Sequence, residues 1–142
     1  MMISTRGRYA IRVLIDLAEH CDGSYVPLKE VAKRQDISFK YLESIMVILS
    51  KAGAVEVSRG KGGGYKLGKA PEDFKIGDIL RLTEGSLAPV ECLSKGAKVC
   101  PKAAKCRTLP MWIKLDKMIN EFFDGITLAD FMKERDGGDY II

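Results

Sequence analysis

Between Val57 and Tyr65 the chain runs Ser58-Arg59-Gly60-Lys61-Gly62-Gly63-Gly64, with four glycines around two cations. Backbone this rich in glycine is costly to hold in a helix, so the run has to be a turn or a loop. On its near side Val55 and Val57 alternate with Glu56 and Ser58, and on its far side Tyr65 and Leu67 flank Lys66. A period of two on both sides predicts a β-hairpin with a flexible, cationic tip. A phosphate-cradling loop of the GxxxxGK[ST] kind needs a helix after the glycines; a strand follows here, so that reading fails on context. Taken alone, the tip suits either a plain surface hairpin or a wing. In a wing, glycines let the backbone approach DNA while Arg59 and Lys61 enter a groove or meet phosphates.

The residues before the hairpin favour the wing. From Thr5 to Glu19, Ala10, Val13, Leu14, Leu17 and Ala18 recur at helical spacing, with Arg8, Arg12, Asp16 and Glu19 on the other side. That pattern predicts an amphipathic helix. Pro27 suits the first turn of a second, short helix that carries Leu28, Val31 and Ala32 inward. Ser38 is a good N-cap for a third helix, in which Leu42, Ile45, Met46 and Leu49 follow i, i+3, i+4, i+7. Lys40, Glu43, Ser44 and Val47 form its opposite face, and Gly53 is placed to end it. Two helices joined by a short turn, the second with a polar outward face and a hairpin after it, make a winged helix-turn-helix.

Charge agrees with that division. Residues 1–69 hold twelve Lys and Arg against seven Asp and Glu, whereas residues 70–142 hold eleven against twelve. A basic half beside a near-neutral one fits a nucleic-acid-binding module joined to a regulatory or dimerising one. With 46% hydrophobic and 30% charged residues, the composition is that of a soluble globular protein. No apolar run approaches the roughly 20 residues of a membrane-spanning helix, and MMISTRGRYA has no signal-peptide core. The expected location is cytoplasmic, without membrane association. An enzyme is disfavoured: there is one histidine, His20, and no HExxH, GxSxG or phosphate loop.

In the second half, Ile76, Ile79, Leu80 and Thr83 mark a fourth helix closed by Glu84-Gly85. Pro110 starts a longer one with Met111, Leu115, Met118 and Phe122 spaced 4, 3, 4, a coiled-coil-like seam widened by Trp112, Ile119 and Phe123. Such a helix in so small a chain is expected to pack against its copy in a partner. Gly125 ends it, and Thr127 to Asp130 forms a capping box for a last short helix. Between the two long elements lie Cys92, Cys100 and Cys106, with Lys95, Lys98, Lys102, Lys105 and Arg107 around them. Folding does not require such a cluster, and a reducing cytoplasm disfavours disulfides. The surrounding positive field favours thiolates and offsets the charge of a thiolate-bound cluster. The spacing contains neither the C-x₂₋₄-C pairs of zinc knuckles nor the C-x₂-C of ferredoxins. Residue types alone therefore leave an iron–sulfur centre, zinc, a thiol switch and incidental cysteines all open. Cys21, alone near a turn, reads as a small buried or half-exposed residue.

STRGRYAIRVLIDLA, ISFKYLESIMVILSKAGAVEVSRGKGGGYKLGK and ITLADF together resemble the IscR/NsrR/CymR family of winged-helix bacterial repressors, from about Ile3 to Phe131. The resemblance implies a homodimer that reads a partly palindromic operator in double-stranded DNA, the third helix in the major groove and the wing in the minor groove. Position by position it places Ser38, Lys40, Tyr41, Glu43 and Ser44 on the recognition helix facing DNA. It places Arg59, Gly60 and Gly63 in the wing, and Arg6 and Tyr9 near the DNA backbone. Lys40 can donate to guanine or a phosphate and Glu43 can accept from cytosine; Tyr41 also suits core packing. Cluster-binding members carry three cysteines in this loop, which implies Cys92, Cys100 and Cys106 as metal ligands of a [2Fe–2S] or [4Fe–4S] cluster.

The chain departs from the family at the fourth ligand. Leu109 stands where the founding member has histidine, and Arg8 lies where the nitric-oxide-sensing branch uses a carboxylate. Glu91, Glu43, Asp16, water or a small thiol are the remaining alternatives, and His20 suits the surface. The expected fold is mainly α with a small β-hairpin: a winged helix-turn-helix over 1–84, a cysteine-containing sensor loop over 85–109, and a dimerisation helix with a C-terminal helix over 110–142. The expected function is a regulator whose operator binding is controlled by the cluster. Its alternatives are a cluster-free repressor of cysteine or sulfur metabolism, controlled by a partner protein or metabolite, and a zinc or thiol redox switch at the same cysteines.

Overall fold

Ser4 opens the first helix, α1 (Thr5–Glu19), where its hydroxyl accepts the Gly7 N–H at 3.2 Å and satisfies one first-turn donor. The computed structural model describes residues 2–133; residues 134–142, the end of the expected 110–142 segment, lie outside the described residues. Ala10, Val13, Leu14 and Leu17 of α1 are buried, as their spacing predicts. The second helix, α2 (Leu28–Gln35), begins one residue later than expected, with Pro27 as its N-cap in extended backbone. The cause lies upstream: Val26 exchanges two backbone hydrogen bonds of 2.8 Å with Tyr65, which keeps the chain extended up to Pro27. Asp36 ends α2 in the left-handed region (φ 54°), and Ser38 then caps α3 (Phe39–Lys51). Gly53 (φ 76°) follows the last turn of α3 and starts the hairpin.

The hairpin pairs β1 (Val55–Ser58) with β2 (Gly64–Leu67) antiparallel, Val55 opposite Leu67 and Ser58 opposite Gly64. Its inner edge is closed by the Val26 bridge. A Cβ on Gly64 would lie 2.2 Å from the Val26 carbonyl oxygen and 2.8 Å from the Pro27 nitrogen, so this close approach requires glycine. The wing is therefore fixed at its base to the segment that leads into α2.

Helix α4 (Ile76–Glu84) buries Ile76, Ile79, Leu80 and Thr83 against the core shared by α1 and α3. Helix α5 (Leu109–Asp124) lies on α4 and ends at Gly125, which has right-handed backbone. Helix α6 (Leu128–Lys133) returns to α1 with Leu128 fully buried, and the Thr127 N–H donates to the Asp130 carboxylate at 2.8 Å. Backbone bonds from Ile76 to Ile126 and from Leu128 to Phe74 tie the two chain segments together. The expected architecture, mainly helical with one hairpin wing and a long helix after the cysteine segment, is the one observed. Among the described residues no helix is long and apolar enough to cross a membrane.

Candidate functional site

Helix α3, the expected recognition helix, is held at its start by its own polar residues. Ser38 Oγ accepts the Tyr41 N–H at 3.2 Å, and Ser44 Oγ donates to the Tyr41 carbonyl at 2.6 Å. Both hydroxyls stay exposed, but each already has a bond within the helix. Lys40 and Glu43 are exposed. Tyr41 is half-buried and meets Tyr9 of α1 edge-on, with ring centroids 5.9 Å apart, so its packing role is real. The Arg12 guanidinium covers the Tyr9 ring at 5.0 Å and donates to the Gln35 side chain and carbonyl. Gln35 Nε2 in turn donates to Asp16 at 2.9 Å, a position that also takes two bonds from Arg34 at 2.7 and 3.0 Å. This chain of contacts fixes the end of α2, and hence the turn into α3, on α1.

Sequence reasoning missed Phe39, which stands 41% exposed at the first position of α3 beside Lys40. Val47 on the same helix is 52% exposed. Apolar side chains on such a face suit a thymine methyl group, and only the surrounding packing distinguishes them from core residues. In the wing, Arg59, Gly60 and Lys61 are exposed, and Gly63 is half-buried. Gly63 closes the tip by donating to the Gly60 carbonyl at 3.0 Å. A Cβ there would lie 2.2 Å from the Ser58 carbonyl oxygen. Arg6 is exposed at the start of α1, one turn from Tyr9.

The second candidate site is the segment between α4 and α5, which forms short 3₁₀ turns at Glu91–Leu93 and Ala103–Lys105. Cys92, Cys100 and Cys106 line one cavity of about 270 Å³, whose other walls include Leu93, Val99, Leu109 and Ile113. The thiols are not disulfide-bonded. Cys106 sits just before α5. The Thr108 hydroxyl at 3.6 Å, aided by the N–H groups of Thr108 and Leu109, holds its thiol below the ordinary value. Lys95, Lys98, Lys102, Lys105 and Arg107 are all exposed around it.

Among the described residues, no three His, Cys, Asp or Glu side chains stand close enough together to hold a metal ion. The donor set, sulfur on apolar walls in a positive field, fits a thiolate-bound centre in kind. Its present spacing does not. Leu109 lies on the cavity wall, so the position that the resemblance gives to histidine lines the cavity with the cysteines but carries no donor. Asp16 is removed from the candidate fourth ligands: it is 1% exposed and held by Arg34 and Gln35. Glu43 lies on the outward face of α3, whereas Glu91 belongs to the cysteine segment and shares a cleft with Cys92 and Lys98. His20 points back to its own helix, with Nδ1 2.9 Å from the Asp16 carbonyl. Cys21 is exposed, not buried or half-buried, because the 21–24 turn leaves the core.

The third feature is the outer face of α5. None of its sixteen residues is fully buried, and Met111, Ile113, Leu115, Met118 and Phe122 are 36–64% exposed. Trp112, Ile119 and Phe123 are half-buried, so the helix has one side toward its own domain and an apolar side toward solvent.

This geometry has counterparts among known proteins. The Rrf2 family, described as iron-dependent transcriptional regulators, matches residues 3–134. Protein rrf2 of Nitratidesulfovibrio vulgaris is 39% identical over 134 residues, covering 94% of this chain and 89% of that protein. The HTH-type transcriptional regulator IscR of Aliivibrio salmonicida is 35% identical over 136 residues, covering 96% of this chain and 80% of its own length. Among solved structures, CymR, the global cysteine regulator of B. subtilis, superposes with a TM-score of 0.75 at 35% identity, covering 92% of this chain and 95% of that one. T. potens IscR superposes with a TM-score of 0.74 at 36% identity, covering 100% and 93%. These relatives are regulators, not enzymes, and the chain belongs to the Rrf2 family of transcriptional regulators, within which it is IscR-like.

Proposed function

We propose that this protein is a homodimeric DNA-binding regulator whose operator affinity is set by an iron–sulfur cluster held by Cys92, Cys100 and Cys106. The observation that carries the reading is the shared cavity: three cysteines spread over fifteen residues of one irregular segment line one apolar pocket at the start of α5. When bound, the cluster would supply a link between the cysteine segment and α5 that responds to iron and to oxidants. The remaining steps belong to the chain. The Thr108 hydroxyl and the backbone N–H groups of Thr108 and Leu109 favour the Cys106 thiolate. The lysines around the segment balance the negative charge of thiolates. Leu109 and Ile113 give the cavity an apolar wall on the side of α5. Because the thiols do not yet meet at one point, holding a cluster requires the segment to draw in on α5, which changes how that helix is presented.

In this reading the exposed stripe of α5 packs against the same stripe of a second copy, since an apolar face of this extent is unusual on a monomer. Arg6, Tyr9, Ser38, Lys40, Tyr41, Glu43 and Ser44 serve the major groove and adjacent backbone. Arg59, Gly60, Lys61 and Gly63 serve the minor groove. The DNA is a partly palindromic operator, because a two-fold dimer presents two such surfaces. Repression is the expected outcome of occupancy.

Three observations favour a second reading, a regulator controlled by thiol oxidation without a cluster. Leu109 supplies no ligand, no metal-holding group stands ready among the described residues, and hydrogen bonds from Thr108 hold the Cys106 thiol below its ordinary value. Anaerobic purification separates the two readings. Iron and sulfide in near-equal amounts, with visible absorbance and a change in operator affinity on cluster loss, supports the first. Colourless, iron-free protein after anaerobic reconstitution overturns it, and oxidant-dependent DNA binding in that protein supports the second.

A further inference from the structure

Helix α4 is clamped at both ends by carboxylates, and each fills the space that a side chain would occupy on a glycine. In its first turn, a Cβ on Gly77 would lie 2.0 Å from Oδ1 of Asp124 on α5. Arg81 holds that carboxylate with two bonds of 2.9 Å and also donates to Asn120 at 2.7 Å. At the other end Glu84 reaches α1. Its Oε1 accepts both the Ser4 N–H at 2.9 Å and the Ser4 hydroxyl at 2.7 Å, and a Cβ on Gly7 would lie 2.4 Å from it. Ser4 is itself the cap of α1, and a carboxylate beside that helix start suits its dipole. Between the clamps Ile76, Ile79, Leu80 and Thr83 are buried, so α4 is suited to move as one rigid body about 13 Å long.

We infer that α4 is the lever that carries the position of α5 to the DNA-facing start of α1, with Arg81 as its input clamp and Glu84 as the positioning residue at its output. The inference rests on the proposed reading, in which α5 takes its position from the cysteine segment and Arg6 and Tyr9 face DNA. Gly7 is buried against Glu84 while Arg6 and Arg8 on either side are exposed, so Glu84 sets the rotation of the turn that presents them. The same turn reaches the recognition helix through the contact of Tyr9 with Tyr41. The two clamps join residues 43 and 80 positions apart and thus bridge elements that share no local sequence.

The test compares cluster-loaded with cluster-free full-length protein on a duplex that the wild type selects from a random library. Hydrogen exchange at the amides of residues 7–9 is followed in parallel. Wild type is expected to show an affinity ratio between the two states in the usual range of about 5–150-fold. Glu84→Ala removes the acceptor, and Gly7→Ala displaces it from the opposite side; both should bring the ratio within about twofold of unity. Both should also abolish the difference in exchange between the two states. Glu84→Gln keeps an oxygen for Ser4 and should retain most of the ratio. A purely structural anchor would weaken both states together and leave the ratio intact. A folded Glu84→Ala or Gly7→Ala protein with the wild-type ratio overturns the lever. If Glu84→Ala does not fold, Gly7→Ala decides, since alanine raises helix propensity. A wild-type ratio of one overturns the underlying reading, and the lever with it, before any variant is made.

Discussion

Replacing Asp16 by asparagine tests how the helix-turn-helix is held. Asp16 lies on the nominally polar side of α1, yet it is 1% exposed and accepts bonds from Arg34 at 2.7 and 3.0 Å and from Gln35 at 2.9 Å. Burial pushes its carboxyl up, but the bonds from Arg34 and Gln35 and the guanidinium charge outweigh that and hold it below the ordinary 3.8. Asparagine replaces either the oxygen that accepts from Arg34 Nη2 or the one that accepts from Arg34 Nε and Gln35 Nε2 with an NH₂ group, so at least one donor loses its acceptor. Breaking a fully buried pair costs about 3–5 kcal/mol. Arg34 is 32% exposed and regains water when released. The expected loss is therefore smaller, about 2–3 kcal/mol, and the melting temperature should fall by roughly 5–10 °C. Urea and thermal unfolding at pH 7 and fixed protein concentration measure it, since oligomerisation also moves the midpoint.

The pH dependence follows in sign. A carboxyl depressed in the folded state contributes stability that is complete above its unfolded value near 4 and is lost as pH falls through its folded value. The gap between wild type and Asp16→Asn should thus be full at pH 7 and narrow only below about pH 4. Asp16→Asn within 0.5 kcal/mol of wild type at pH 7, or a gap that widens in acid, would refute the reasoning.

Three further predictions concern separate parts of the molecule. Gly64→Ala forces a Cβ against the backbone of Val26 and Pro27, so it should cost about 2 kcal/mol or more and deprotect the Val26 and Tyr65 amides in hydrogen exchange. Lys61→Ala should weaken DNA binding almost equally across sequences and reduce the slope of log affinity against log salt by about one, read from a salt titration. Phe122→Asp places a charge on the exposed stripe of α5 and should convert a dimer to monomer by light scattering with unchanged far-ultraviolet circular dichroism; a dimer that persists rules out that stripe as the interface.

Local pattern carried the helices and the hairpin because their signals are periodic or covalent. Leu42, Ile45, Met46 and Leu49 fix one face of α3, and the glycines at 60 and 62 supply the positive φ angles (91° and 79°) that a tight tip uses. Contacts between distant residues left no such mark. Asp16 reads as a surface residue until Arg34 and Gln35 arrive from α2, and the Val26 bridge that delays α2 depends on the far strand of the wing. Phe39 draws no reading from the sequence, because nothing in its own segment reveals that this apolar side chain at the start of α3 faces outward. The bond from Ser4 to Glu84 spans 80 positions and has no sequence period at all.

The cysteine segment sits between these extremes. Its cysteines were visible as residues, and their convergence depends on α5 supplying a wall. Leu109 and Ile113 stand one turn apart on that helix and both line the cavity, while Met111, Leu115 and Met118 of the same rigid helix form the exposed stripe. A change in the cavity must therefore be felt at the first turn of α5, and a helix of sixteen residues transmits such a change along its length with little loss. In the proposed reading, sensing and dimerisation are thus two faces of one element, and the clamp at Arg81 is where that element meets the DNA-binding domain. Replacing Leu109 with histidine would place a fourth donor on the cavity wall. The expected result is a more slowly lost cluster with no change in dimer content, measured by the decay of visible absorbance in air. A cluster lost as fast as in wild type would mean that this wall does not face the iron.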